Sequence, residues 1–219
     1  IAASCEASPI LRFDADTYID FRARRPTMEL REGVNTNLVW STIEMSAGRT
    51  PNGDDILLLT GPEPDMAWHR FGRAVAELAV TCGVRQMVAL GAYPFAAPHT
   101  RSPQLACSSP STDVIGALPF TRSSVDVPAG VAATLEHALH AQRIPALGLW
   151  AQVPHYVSGM SYPASTVALL EGFELVTGIR TAVGELRREA TSQRDRIDQI
   201  VASNDDHVAM VHQLEEIFD

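Results

Sequence analysis

Three short apolar runs, each bounded by turn residues, punctuate the chain at positions 55–61, 86–91 and 144–150. Continuous apolarity over so few positions suits strands covered on both faces. A different spacing lies between them. Phe71, Ala74, Val75, Leu78 and Ala79 recur every three to four residues and predict a helix over about 65–82, stopped by Gly83. Strand, helix and strand across 55–91 make a βαβ unit, which a right-handed crossover turns into a parallel pair. Val131, Leu135 and Leu139 mark a helix opened by Pro128 and running to about 142. Val167, Leu169, Leu170 and Phe173 mark another over 163–177.

The flanking regions read less regularly. Residues 10–14 suggest a short strand and residues 16–21 a turn of helix with Asp16 at its acidic start. Arg22, Arg24 and Arg25 lead into Pro26, which favours an extended residue before it. The β-rich stretch 38–45 predicts one strand near an edge, and Asn52-Gly53 a turn over 48–53. Residues 98–126 are rich in Ser, Thr and Pro and predict a long loop with short strands, 104–107 being its paired stretch. From residue 181 the chain turns charged and helical, with Val183, Leu186, Ala190, Ile197, Ile200 and Val201 at helical spacing. A cap at 203–206 then starts a second amphipathic helix through Val208, Val211, Leu214 and Ile217. The expected organisation is an α/β core over 1–180 and a helical extension over 181–219.

Composition narrows the function classes. The 219 residues are 46% hydrophobic and 20% charged, with net charge -9. An acidic surface repels phosphate backbones and anionic lipid, so neither nucleic acid nor membrane is an expected partner. All 17 basic residues are Arg. Schiff-base, phosphate-loop and kinase-type lysine chemistry is thereby absent from the chain. Cys5, Cys82 and Cys107 are too few and too scattered for a disulfide framework or a zinc site, and there is no Asn-x-Ser/Thr sequon. A reducing, cytoplasmic location is expected. Because the chain opens at Ile1 rather than Met, its true start is expected to lie upstream.

Four segments in order carry a family resemblance. They are Asp20-Phe21-Arg22 with Arg24-Arg25-Pro26; Gly61-Pro62-Glu63-Pro64-Asp65 with Trp68; Gly91 with Pro98-His99-Thr100-Arg101; and Leu149-Trp150 with Val153-Pro154-His155-Tyr156-Val157. Together they resemble the proteasome assembly chaperone family, second type, in its bacterial branch, over nearly all of residues 10–215. The Gly-aromatic-x-Asp-Ala-Gly segment of that family's first strand is absent, so the resemblance implies a first strand lying before Ile1. The resemblance implies a three-layer α/β/α fold with a mostly parallel central sheet, like that of nucleoside phosphorylases. It also implies self-assembly into rings or trimers, and escort of proteasome α-subunits by the eukaryotic members.

Candidate chemistry gathers at strand ends, where ligands of open α/β sheets collect. Glu63 and Asp65 follow the first apolar run; they could work as an acid–base pair, or Asp65 could simply cap the next helix. Trp68 stands beside them as a pocket or interface residue. His99 and Arg101 follow the second run, where Arg could grip a phosphate or carboxylate while His moves a proton; fixing the loop is the structural alternative. His155 and Tyr156 end the third run and could stack on a ring or anchor a partner. No Gly-x-Ser-x-Gly elbow exposes a nucleophile and no Gly-rich phosphate cradle is present, so no cofactor is called for. His137 and His140 are spaced i, i+3 without a third ligand, so no metal is expected either. Ile217-Phe218-Asp219 is similar to the hydrophobic–aromatic–any tails with which proteasome partners dock. The favoured reading is an oligomeric, chaperone-like interaction protein binding proteasome α-subunits or a related client. The alternative is a small-molecule enzyme or sensor using the strand-end residues.

Overall fold

The computed structural model describes residues 1–50 and 52–219. In chain order the elements are β1 (Ser8–Arg12), α1 (Ala15–Tyr18), β2 (Thr27–Arg31), β3 (Val34–Val39), β4 (Glu44–Arg49), β5 (Asp55–Thr60), α2 (Trp68–Thr81), β6 (Met87–Phe95), β7 (Leu105–Ser108), α3 (Thr112–Gly116), α4 (Val131–Ala141), β8 (Ala146–Pro154), α5 (Pro163–Thr177), α6 (Gly184–Ala202) and α7 (Asp205–Phe218). They form a mixed α/β protein of two compact units. One comprises Ile1–Val84 with Pro128–Arg143, the other Arg85–Val127 with Ile144–Asp219.

In the first unit, β4 lies between β1 and β5, and both pairings are antiparallel. Phe13, Tyr18 and Phe71 form an aromatic cluster with ring centroids 4.8–6.2 Å apart. The buried face of α2 (Phe71, Val75, Ala76, Ala79) and that of α4 (Leu135, Leu139) dry this core, as their helical spacing requires. β2 and β3 form a separate antiparallel hairpin. Its two turn residues, Glu32 and Gly33, both have positive φ (52° and 83°), the conformation a tight hairpin needs.

In the second unit, β8 is buried along almost its whole length, with Leu147, Leu149 and Ala151 fully enclosed. It pairs in parallel with β6 and antiparallel with β7. Gly91 sits opposite Trp150, and any β-carbon there would meet the indole ring at 2.4 Å, so only glycine fits. α5, with Leu170 and Phe173 buried, packs on β8, α6 packs on α5, and α7 on α6. Val153, Val157 and Ile197 form a cluster flanked by Tyr156, Tyr162 and Val201, and this cluster is where α6 buries its apolar stripe.

Several expectations need correction. The parallel pair is not 55–61 with 86–91: β5 pairs with β4, and β6 with β8. A mostly parallel central sheet is therefore not what the strands of either unit form; β6–β8 is the one parallel ladder between named strands. The strand expected over 38–45 is divided, because Trp40 turns aside to meet the Phe21 ring (4.6 Å) before β4 begins. α2 starts at Trp68 rather than near 65, and α4 at Val131 rather than at Pro128. α3 falls inside the stretch read as loop and strand, with Ser111 accepting the Val114 amide at its start. Gly48 and Arg49, expected in a turn, belong to β4 and pair with Ile56 and Asp55; Asn52 and Gly53 lie between β4 and β5, and Pro51 is outside the described residues. The two tail helices and the break between them fall where the apolar spacing puts them, Asn204 accepting the Asp206 amide to begin α7.

Candidate functional site

The first group of candidates belongs to the first unit, where each has an internal partner. Glu63 Oε1 accepts the Val131 amide N–H at 2.7 Å, so a residue remote in sequence supplies the acceptor that starts α4. Asp65 does not cap α2. Its Oδ2 accepts the Asp20 amide at 3.0 Å, and both its oxygens lie 3.0–3.1 Å from Arg24 Nε. Its own amide donates to the Tyr18 carbonyl. Asp20 Oδ1 in turn accepts the Arg22 amide. The arginine-rich segment before Pro26 and the Pro-Glu-Pro-Asp segment after β5 are thus two halves of one tie. Trp68 closes this region by donating its indole N–H to the Pro64 carbonyl at 2.5 Å.

The second group lies in the other unit and uses three consecutive residues. His99 is 3% exposed. Its amide donates to the Tyr156 hydroxyl at 2.7 Å, its Nδ1 lies 2.7 Å from the same oxygen, and its Nε2 lies 2.9 Å from Asp198 Oδ1 on α6. One arrangement satisfies every group: Tyr156 accepts from the amide and donates to Nδ1, while Nε2–H donates to Asp198. Burial pushes the Tyr156 hydroxyl up to about 12, so it keeps the proton this chain of bonds needs. The Thr100 hydroxyl donates to Glu215 Oε1 on α7. Arg101 takes Asp219 as a two-pronged partner, Nε to Oδ1 at 2.9 Å and Nη2 to Oδ2 at 2.6 Å, and adds Glu215 at 3.0 Å. The Thr100 bond, then the nearby Arg101 charge, hold the Glu215 carboxyl below the usual carboxylate range; the Arg101 bond does the same for Asp219.

The anion that Arg101 is suited to grip is therefore supplied by the chain itself. His99, Thr100 and Arg101 together latch α6 and α7 to the end of β6. His155, by contrast, is exposed and touches Tyr156 only ring to ring, at 5.3 Å. Of the seven candidates, then, His99 and Tyr156 are bonded directly; Arg101 joins them through the tail; and Glu63, Asp65 and Trp68 serve local ties in the first unit. Sequence reading misses Asp198 and Glu215, which look like ordinary solvated helix positions, and takes Asp219 only as the last position of a docking-type tail rather than as the partner of Arg101. Asp65 and Arg24 could have been matched as opposite charges in two quoted motifs. Among the described residues, no group of three or more His, Cys, Asp or Glu could hold a metal ion, and no helix is long and apolar enough to cross a membrane.

Fold and site together define a mixed α/β protein whose strand-end polar groups are engaged with its own backbone and tail helices. The chain belongs to the PAC2 family, whose model matches residues 1–201. It is similar to a Mycobacterium tuberculosis protein of unknown function (31% identity, 99% of this chain and 74% of that one, TM-score 0.88). It is also similar to a proteasome-assembly chaperone homologue of the same organism (30% identity, 96% and 89% covered, TM-score 0.88). An archaeal proteasome activator from Pyrococcus furiosus shares the fold at 12% identity (91% and 84% covered, TM-score 0.67). None of the curated proteins compared matches the chain.

Proposed function

We propose that this protein is a chaperone-like interaction protein that self-associates and captures proteasome α-subunits or a related client in the cytoplasm, through its C-terminal helices. A three-layer α/β/α arrangement, with residues 181–219 as a presenting extension, is part of the same proposal. The observation that carries it is the latch. His99, Thr100 and Arg101 fix α6 and α7 by their polar faces, while Ile200 on α6 and Ile217 on α7 stay 63% and 68% exposed. Large aliphatic side chains held outward on anchored helices are suited to helix-in-groove recognition. The chaperone homologue among the relatives supports the same direction. A small-molecule site at Arg101 would have to displace Asp219 and Glu215, which makes that alternative costlier.

The test is co-purification of the whole protein with α-subunits from the same cell, beside variants Ile200→Asp and Ile217→Asp. Capture of α-subunits by the native chain, weakened at least about tenfold by either variant with the fold unchanged, is the expected result; tenfold corresponds to about 1.4 kcal/mol. Absence of any complex with the native chain, or equal capture by both variants, would contradict the proposal.

A further inference from the structure

Residues 121–129 are nine consecutive exposed positions, and beyond the single bridge of Thr121 they form no regular structure. From Ser123 to Ala129, no group makes a hydrogen bond or ion pair among the described residues. Both ends of the stretch are tied. The Thr121 amide donates to the Leu105 carbonyl at 3.1 Å, and its carbonyl accepts the Cys107 amide at 3.4 Å. Arg122 donates to the carbonyls of Ile115 and Leu118 at the end of α3, and the Val131 amide is held by Glu63. The irregular connection between α5 and α6 is different. There the Ile179 amide donates to the Thr177 hydroxyl, and Arg180 pairs with Glu174.

Exposed chain with small and polar residues is where proteolytic nicking concentrates, and a protease needs several free residues on each side of the bond it cuts. The Val125–Asp126 bond has four on each side, 122–125 and 126–129. A cut nearer Arg122 would require Thr121 to leave β7. A cut after Val127 meets Pro128, which has no N–H to offer. One further on would require Val131 to leave Glu63. Pro128 also favours an extended backbone at Val127, the form in which cleft-binding enzymes take a chain. Val125, 66% exposed, presents a small aliphatic side chain at the centre of this window.

We propose that residues 122–129 are an acceptor site for an endoprotease whose specificity pocket takes a small aliphatic side chain, and that the chain cut there stays folded. Water adds across the Val125–Asp126 bond. Its oxygen joins the Val125 carbonyl carbon, which leaves as a carboxylate, and the Asp126 nitrogen leaves as an amine. The persistence of the fold follows from the topology, because each unit is built from both sides of the cut. In the first unit, α2 precedes the cut and α4 follows it, and they approach so closely that a β-carbon on Gly72 would lie 3.2 Å from Thr134. In the second, β8 follows the cut and lies between β6 and β7, which precede it. The bonds from His99 to Tyr156 and Asp198, and from Arg101 to Asp219, also join the two fragments. Parting them would open both cores, at a cost that hydrolysis of one exposed bond does not offset. The site stands independently of client capture.

Brief treatment of the full native chain with elastase, which cuts after small aliphatic residues, tests both halves of the inference. Intact-mass measurement should find first products that end at Val125 and begin at Asp126. The two fragments should elute together at the native mass of the uncut protein and part only in urea. Val125→Asp, a change in a stretch that packs on nothing, should keep the circular-dichroism spectrum and slow this cut at least about tenfold, equivalent to about 1.4 kcal/mol in the barrier. Resistance of the native chain, a first cut at another bond, or an unchanged rate in Val125→Asp would each overturn the acceptor site. Fragments that separate without denaturant would overturn the claim that the cut chain stays folded.

Discussion

Asp65 meets Arg24 across 41 residues of one unit, and Arg101 meets Asp219 across 118 residues of the other, by the same guanidinium–carboxylate chemistry. The surroundings differ. Asp65 also accepts a backbone amide, and its side chain is only 20% exposed, so the tie is part of how the chain folds around α1. Asp219 is the more open carboxylate, at 57% exposed, although Arg101 is no more exposed than Arg24, so solvent screens the pair and limits its contribution to stability. What Arg101 does is positional, in that it decides where α7 lies. Glu215, 20% exposed and bonded to both Thr100 and Arg101, comes nearer to Asp65, and His99, buried between Tyr156 and Asp198, is the innermost anchor of the second region.

Substituting that anchor should have the largest effect. His99→Ala removes a buried ring and leaves the half-buried Tyr156 hydroxyl without its Nδ1 partner, and should cost about 2–4 kcal/mol in urea unfolding. A loss below about 0.5 kcal/mol would mean that the bonds from His99 to Tyr156 and Asp198 contribute nothing. Asp65→Asn should cost less, about 1–2 kcal/mol, since Arg24 is partly solvated and an amide oxygen can still accept from Asp20. If the order of the two were reversed, the first unit would hold the stronger tie and the contrast would fail.

Much of this architecture is written in local spacing. The apolar runs become β5, β6 and β8, and the helical periodicities become α2, α4, α5, α6 and α7, because burial of a stripe or a run is a local demand. Partner choice is not local. The β4–β5 hairpin is signalled by Asn52-Gly53, but nothing in residues 86–91 says that Ala146–Pro154 will be their parallel partner, or in residues 8–12 that β4 will be theirs. The same limit applies to the site. His99, Arg101 and Tyr156 stand out because they follow apolar runs, whereas Asp198 and Glu215 are spaced like any solvated helix face and Asp219 simply ends the tail. Glu63 as the N-terminal acceptor of α4 was equally out of reach, 68 residues from the amide it binds.

The central claim is that Thr100 and Arg101 hold α7 through Glu215 and Asp219, and amide hydrogen exchange across α7 tests it directly. Both carboxyls are held below their ordinary range, so their contribution is full above the unfolded carboxylate pKa and is lost as pH falls through the folded values. In Arg101→Ala at neutral pH, and in the native chain under acid, exchange corrected for the intrinsic rate should quicken across Asp205–Phe218, with β4 and β5 unchanged. Protection of α7 that persists both in Arg101→Ala and at low pH would contradict the account, because the helix would then be held by its apolar face alone.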